Sequence, residues 1–435
     1  MHVIPSMRYA ASRRSPIIVG LVTTWLLMLF RAVHSEEGVT VNTVVGNVRV
    51  FDTTNSSLPD NFIRALAIDS SGTVWAGCFR EGLAAFDGSK WEGYSTSNSE
   101  LVCDSVKVLT VDRGNGLWIG TSNGLGYLGD STWQSFTPAN SPMPVSHVWA
   151  MDVDKGNKLW FSCGNVDEGG LMSYDDGDWA LYTPDNTPLP CRAINAIVVD
   201  HSNVTWVGTT QHQGRGGLVR IDGEQWSVYD KTNSPLRRNT VEELALGLDA
   251  SVWVGQAAYF KLSYDTLEGD LFRVTPDGAG WIREGPCETG LTSIRIDAIG
   301  VDHRNRLWAA TGPDLSFDYA LSVFNGQEWI VLNQLDEVFN RLYVTDMVCD
   351  KSGHMWLGTG RGLWRLNISG IDSLFEADQA VHLEPLRVNE DTPVRTRYFD
   401  LLGRRRYFSE THKLQRVLLL GSGHGSGVGK EIQRR

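Results

Sequence analysis

The chain has 435 residues and a formal charge of −12; 42% are hydrophobic and 16 are Trp, which excludes a disordered chain and demands a substantial core. With 4 basic residues in 1–35, and 11 basic and 9 acidic in 371–435, the remaining 24 basic and 42 acidic side chains leave residues 36–370 at −18. A body of that sign repels phosphate backbones and anionic lipid, which argues against nucleic acid as a partner.

At the N-terminus, Arg8, Arg13 and Arg14 precede the apolar run Ile17–Phe30, and Val33-His34-Ser35 then lead into Glu36 and Glu37. This is the pattern of a secretory signal peptide over residues 1–35. The run of 14 residues falls short of the about 20 that span a bilayer, so cleavage is expected, with no transmembrane domain in the mature chain. An exported protein of periplasm, cell surface or medium follows.

Next comes one phrase, seven times over. It runs through an apolar strand, Asp, a short polar turn, a strand centred on Trp, a Gly-Leu strand, Asp-Gly, a second Trp and an Asn-Ser-x-Leu-Pro loop. The central Trp is residue 75, 118, 160, 206, 253, 308 and 356, and Asp stands six positions earlier at Asp69, Asp112, Asp154, Asp200, Asp302 and Asp350. The fifth unit has Asp249 four before Trp253, from which a shortened turn is expected. Repeats of this length, with 45 glycines and 15 prolines punctuating short apolar runs, read as four-stranded units of an all-β propeller.

The closing Trp recurs at Trp91, Trp133, Trp179, Trp226, Trp281 and Trp329, whereas the seventh unit stops at Leu363-Trp364-Arg365-Leu366. Its missing strand stands at the other end of the chain. Gly46–Phe51 leads into Asn55-Ser56-Ser57-Leu58-Pro59 in the register of the other closing strands, Val48 in the Trp place and Phe51 in the Tyr place. A ring must join first blade to last, and a borrowed strand removes the unpaired edge. The fold class expected is therefore a seven-bladed β-propeller over residues 42–367, closed by an N-terminal strand that completes the last blade. A linear solenoid would leave that borrowed strand unexplained.

The segment Asp69-Ser70-Ser71-Gly72-Thr73-Val74-Trp75-Ala76-Gly77, with Gly82-Leu83, Phe86-Asp87-Gly88, Trp91 and Tyr94, resembles the two-component-regulator propeller repeat, and Trp118-Ile119-Gly120-Thr121, Trp206-Val207-Gly208-Thr209 and Trp356-Leu357-Gly358-Thr359 repeat it. The resemblance implies the sensing half of a membrane histidine kinase. In this sequence no apolar span and no room for a kinase follow Asn367, so phosphotransfer is not expected and recognition is, with an envelope signalling partner as one possibility.

Residues 371–435 break the repeat and are expected to form a small C-terminal β appendage. Val394–Arg404, containing Asp400-Leu401-Leu402-Gly403-Arg404, then Val417–Leu420 and a Gly/Ser stretch, resemble the sorting domain of type IX secretion; Gln415-Arg416-Val417 stand where that family has Gly-x-Tyr. Of the six cysteines, Cys78 and Cys163 occupy equivalent positions of different units, as do Cys103 and Cys191, so a disulfide framework is not expected.

No nucleophile–base pair, phosphate loop or metal-ligand spacing stands out, and no cofactor or metal is expected. The recurring Asp and Asn read as turn chemistry. What varies is the distance from the central Trp to the Leu of the Gly-Leu strand: 7 or 8 residues in units 1, 2 and 7, but 11, 12, 18 and 13 in units 3 to 6. These insertions all lie on the face of the blade-to-blade connections and carry Asp167, Glu168, His212, Arg215, Tyr259, Phe260, Tyr264, Asp314, Phe317, Asp318 and Tyr319. Aromatics beside carboxylates suit stacking on a glycan or gripping a peptide or protein partner; the same aromatics would serve to pack the longer loops. The expected function is non-catalytic recognition through this loop-rich face. A lyase or hydrolase acting on polysaccharide or lactone at the channel mouth is the alternative, and a structural envelope protein a third.

Overall fold

A computed structural model describes residues 38–43, 45–130, 132–256, 270–284, 295–312 and 319–380, and the pairs 398–399 and 405–406. Its strands are β1 (Val39–Thr43), β2 (Gly46–Phe51), β3 (Ile63–Ile68), β4 (Val74–Cys78), β5 (Leu83–Phe86) and β6 (Trp91–Tyr94); then β7 (Val106–Val111), β8 (Leu117–Thr121), β9 (Gly124–Gly129) and β10 (Thr132–Phe136). They continue as β11 (Met151–Val153), β12 (Leu159–Gly164), β13 (Gly169–Asp175), β14 (Asp178–Tyr182), β15 (Ile194–Val199), β16 (Thr205–Thr209), β17 (Leu218–Asp222) and β18 (Gln225–Tyr229). The last are β19 (Glu243–Leu246), β20 (Val252–Gly255), β21 (Leu271–Val274), β22 (Trp281–Arg283), β23 (Ile296–Val301), β24 (Leu307–Thr311), β25 (Ala320–Phe324), β26 (Trp329–Val331), β27 (Val344–Cys349), β28 (His354–Thr359) and β29 (Gly362–Asn367).

From β3 to β26 each successive group of four is one up-and-down antiparallel sheet, which makes blades 1 to 6; blade 7 is the five-stranded sheet β1-β2-β29-β28-β27. The seven-bladed propeller is thus closed by β2, with Val48 opposite Leu366 and Phe51 opposite Leu363, the register in which Trp91 and Tyr94 oppose Phe86 and Leu83 in blade 1. Phe51 lies 5.2 Å from Phe86 of blade 1 and 6.0 Å from Trp356 of blade 7, so the borrowed strand also packs the joint. β1, which the repeat pattern does not announce, adds a fifth strand outside it.

The ring packs through one steric rule. The residue twelve before each central Trp is Ile63, Val106, Val148, Ile194, Val241, Ile296 or Val344, β-branched and buried in every blade. It lies against the residue two after the central Trp of the preceding blade. A Cβ on Gly77 would stand 2.4 Å from Val106 Cγ1, one on Gly208 2.7 Å from Val241 Cγ1, and one on Gly358 3.0 Å from Ile63 Cγ2. The Gly358–Ile63 contact joins blade 7 to blade 1, so the seam packs as the other joints do.

On the opposite face the recurring Asp residues hold the hairpin turns. Asp69 Oδ1 accepts the Ser71 and Thr73 N–H groups at 2.9 Å each, and Oδ2 accepts the Trp75 indole N–H at 3.2 Å; Asp200, Asp302 and Asp350 bind Trp206, Trp308 and Trp356 the same way. In blade 2 the Tyr127 hydroxyl takes the place of the indole on Asp112. The turn of blade 5 is not shortened as expected: Gly247 N–H donates to Ser251 O and Ala250 N–H to Gly247 O, the bonds Asp69 and Gly72 make in blade 1. Gly247 simply stands where the others have Asp. Asn115, Asn157, Asn203 and Asn305, all at positive φ, reach back to accept an N–H from the preceding blade's turn at 2.7–2.9 Å.

Among the described residues two α-helices interrupt the β pattern: α1 (Leu332–Leu335), in the connection to blade 7 and followed by a 3-10 turn at Glu337–Phe339, and α2 (Ile371–Ala380). Ile371 and Phe375 are buried beside Trp364 and Phe339, and Asp372 pairs with Arg304 and Arg306. Beyond α2 only a two-residue ladder, β30 (Tyr398–Phe399) with β31 (Arg405–Arg406), is described; the rest of the C-terminal segment expected as a β appendage, and residues 1–35, expected as a signal peptide, lie outside the described residues. No described helix is long and apolar enough to cross a membrane. Cys78, Cys103, Cys163, Cys191 and Cys349 are free thiols.

Candidate ligand site at the channel mouth

The innermost strand of each blade begins at the loop-rich face and lines the central channel. In blades 1, 2, 4, 6 and 7 it starts with a β-bulge, the register slipping across Arg64, Lys107, Asn195, Asp297 and Thr345. A bulge re-aims the extra side chain. The equivalent positions of blades 3 and 5 are Trp149 and Glu242, eleven residues before their central Trp as in the other five. All seven line one cavity of about 680 Å³ at the channel mouth. The repeat thus offers one position per blade for chemistry and fills it with seven different side chains.

The mouth is asymmetric. Blades 5 to 7 supply Glu242, Glu243, Asp297 and Asp346, while Arg64 and Lys107 come from blades 1 and 2. Asp346 is pinned by the N–H groups of Leu66 and Met347, each at 2.7 Å, the first of them across the seam. Asp297 Oδ1 pairs with Arg295 at 2.7 Å, and Oδ2 is buried without a partner. Glu242 accepts a bond of 2.9 Å from Asn195 Nδ2. Burial pushes Asp297 and Asp346 up to about 6. Glu243 is raised well above the usual range by burial and then by its neighbours Asp346 and Glu242. Deeper in the channel Asp152, which accepts the Val199 N–H at 2.7 Å, is likewise pushed up to about 6 by burial.

From blade 6 round to blade 3 runs an arc of rings. Tyr319 lies 5.4 Å from Tyr343, Tyr343 6.0 Å from Phe62, and Phe62 5.3 Å from Phe79. Lys107 Nζ then sits 4.7 Å from Phe79 and 5.2 Å from Trp149, which stacks on His147 at 6.3 Å. Trp149 is 41% exposed. Burial lowers the Lys107 ammonium's pKa, with Arg64 adding to the effect. The short β4–β5 and β28–β29 connections leave this side of the rim low, and a Cβ on Gly360 would come to 3.5 Å from Tyr343.

Of the residues expected from the loops, Tyr319 joins this arc. Asp167 and Glu168 are exposed in the β12–β13 loop, where both N–H groups donate to Asn165. His212 and Arg215 close a tight turn between β16 and β17 by two backbone bonds of 2.9 Å. No described hydrogen bond joins that pair to Asp167 or Glu168. Tyr259, Phe260, Tyr264, Asp314, Phe317 and Asp318 lie outside the described residues. Loop length drew attention to the insertions and away from the inner strands, where the signal stood in plain alignment: the position eleven before each Trp varies freely, and the next, apolar in five blades, is acidic in Glu243 and Asp346. Among the described residues no group of three or more His, Cys, Asp or Glu is placed to hold a metal ion.

Fold and mouth together define a seven-bladed β-propeller with a chemically uneven, open channel entrance. Residues 57–80 match the two-component regulator propeller family. Among curated proteins nothing matches. The extracellular domain of a candidate hybrid two-component system from B. thetaiotaomicron superposes with a TM-score of 0.54 at 18% identity over 70% of this chain, which spans 38% of that one. Virginiamycin B lyase from Staphylococcus aureus gives 0.54 at 15% identity over 73% of this chain and 98% of the lyase. PorZ, a surface component of the type-IX secretion system of Porphyromonas gingivalis, gives 0.53 at 16% identity, over 80% of this chain and 53% of PorZ. At these identities the likeness is one of fold, shared with extracellular sensor domains and with an enzyme alike.

Proposed function

We propose that this chain is an exported recognition module of the sensor type that binds its ligand, glycan, peptide or protein, at the channel mouth. The observation that carries the reading is the convergence on one cavity of seven side chains from one repeated position, five of them displayed by β-bulges, with Trp149 and Tyr343 bringing the aromatic arc to its edge. Packing alone gives no reason for Arg, Lys, Trp, Asn, Glu, Asp and Thr to occupy one repeated position. Half-exposed rings beside polar groups are what a binding surface uses as anchors. Fold similarity to extracellular sensor domains supports the same role.

Glycan and peptide arrays probed with the wild type and with Trp149→Ala and Tyr343→Ala test it. Binding that falls about tenfold or more, equivalent to about 1.4 kcal/mol, with an unchanged melting temperature is the expected result. Binding that survives both substitutions refutes the site. The raised carboxyls Asp297 and Asp346 favour a second reading, acid–base chemistry on the bound molecule; turnover of an array ligand, abolished in Asp297→Asn, would establish it.

A further inference from the structure

The arc of rings is used on one side only. Lys107 is clamped between Phe79 and Trp149 at cation–π distances, so this rim already holds one ammonium group against aromatic faces. Its other half, Phe62, Tyr343 and Tyr319, carries no such cation among the described residues. That half borders the acidic blades, close enough for Asp297 to bear on the Tyr343 phenol, with Arg64 and Arg295 acting on it in the opposite sense.

The four carboxylates of those blades share the cavity with three cations, Arg64, Lys107 and Arg295, and Lys107 is already held by the rings. The Asp297 side chain is 6% exposed, and its Oδ2 has no hydrogen-bond donor. Glu243 lines the cavity with no described donor of its own. A neutral sugar would bring hydroxyl groups to this site but no charge to set against the crowded anions. A cation would be attracted by the carboxylates and by the ring faces together.

We infer that the ligand carries an alkylammonium or guanidinium group, seated over Tyr343, Phe62 and Tyr319 and against Glu243, Asp297 and Asp346. This rests on the channel-mouth reading and narrows it to a cationic ligand such as a basic peptide. A cation in this seat competes with protons for Glu242, Glu243, Asp297 and Asp346, the acids facing it from β19, β23 and β27 and the residue before β19; Arg64, Lys107 and Arg295 are the fixed cations and Tyr343 the phenol of the same enclosure. Its affinity therefore falls as pH drops from 7.5 to 5.5.

Calorimetric titration of the full chain at pH 7.5 with a capped tri-arginine peptide, its uncharged tri-citrulline isostere and maltotetraose decides the matter. The expected result is binding of tri-arginine, at least about tenfold weaker binding of tri-citrulline, and a loss of about tenfold in Glu243→Gln with a raised melting temperature, because one crowded acid has gone. Equal affinity for the two peptides overturns the inference. So does tri-arginine binding untouched by both Glu243→Gln and Tyr343→Ala, which places the peptide elsewhere on the acidic body. If maltotetraose alone binds and Tyr343→Ala abolishes it, the mouth remains the site and the cationic ligand is refuted; if none of the probes binds, the cationic inference falls while the array experiment still judges the site.

Discussion

Lowering the pH from 7.5 to 5 should stabilise this propeller, against the usual course of acid weakening. Asp152, Asp297 and Asp346 each have a folded-state pKa near 6 from burial, against about 3.9 for Asp in an unfolded chain. A raised carboxyl contributes its stability in full below the unfolded value and loses it as pH climbs through the folded one. From pH 7.5 to 5 each group gains about 1.4 kcal/mol by this linkage, and the three together gain about 4 kcal/mol. The turn carboxylates whose pKa is lowered, such as Asp69, Asp230 and Asp249, lose their contribution only below the ordinary Asp range, outside this window. At about 2 °C per kcal/mol for a large domain, the melting temperature should rise by about 8 °C. Scanning calorimetry at constant ionic strength reads it; Glu243, raised as well, adds to the rise in the same direction, and Asp297→Asn should remove about 3 °C of it. A melting temperature that is flat or falls between pH 7.5 and 5 refutes the burial of these acids.

Two further predictions concern closure and packing. Gly77→Ala should cost about 1–3 kcal/mol by overpacking, since its Cβ would meet Val106, whereas Gly93→Ala, with open space around it, should leave the urea midpoint unchanged. Val48→Asp places a charge in a fully buried position of the closing strand and should cost about 3 kcal/mol or more; Asn47→Asp, exposed on the same strand, is the control, and equal midpoints for the two would show that β2 does not close the ring.

The closing strand was readable because it obeys the same spacing as six other strands: Val48 and Phe51 stand where a Trp and a Tyr stand in blade 1. Turn chemistry was readable for the same reason, since Asp six residues before Trp is a local device. α2 was not, because Ile371 and Phe375 acquire their burial from Trp364 and Phe339, which only the closed ring brings near. The inner-strand acids were missed for a third reason. A bulge turns a residue out of the alternation by which strand faces are read, so Arg64 or Asp297 looks like one more polar position between apolar neighbours.

That same bulge explains how a ring built on a strict rule keeps a site free to vary. The β-branched residue twelve before each Trp must fill the space left by a Gly, Ser or Ala of the preceding blade, and its freedom is spent on packing. Bulging at the next position releases that side chain from the joint and turns it into the channel, where neither Gly77 nor Val106 constrains its size or charge. Substitution there can change the chemistry of the mouth without disturbing the joints, whereas Glu243 and Asp346, one residue further and back in the ladder, bring charge into positions the other blades keep apolar. Asp346 is tolerated because two backbone N–H groups hold it. Glu243 has no such donor among the described residues, and that makes it the residue whose replacement should most clearly separate the needs of the fold from those of the proposed site.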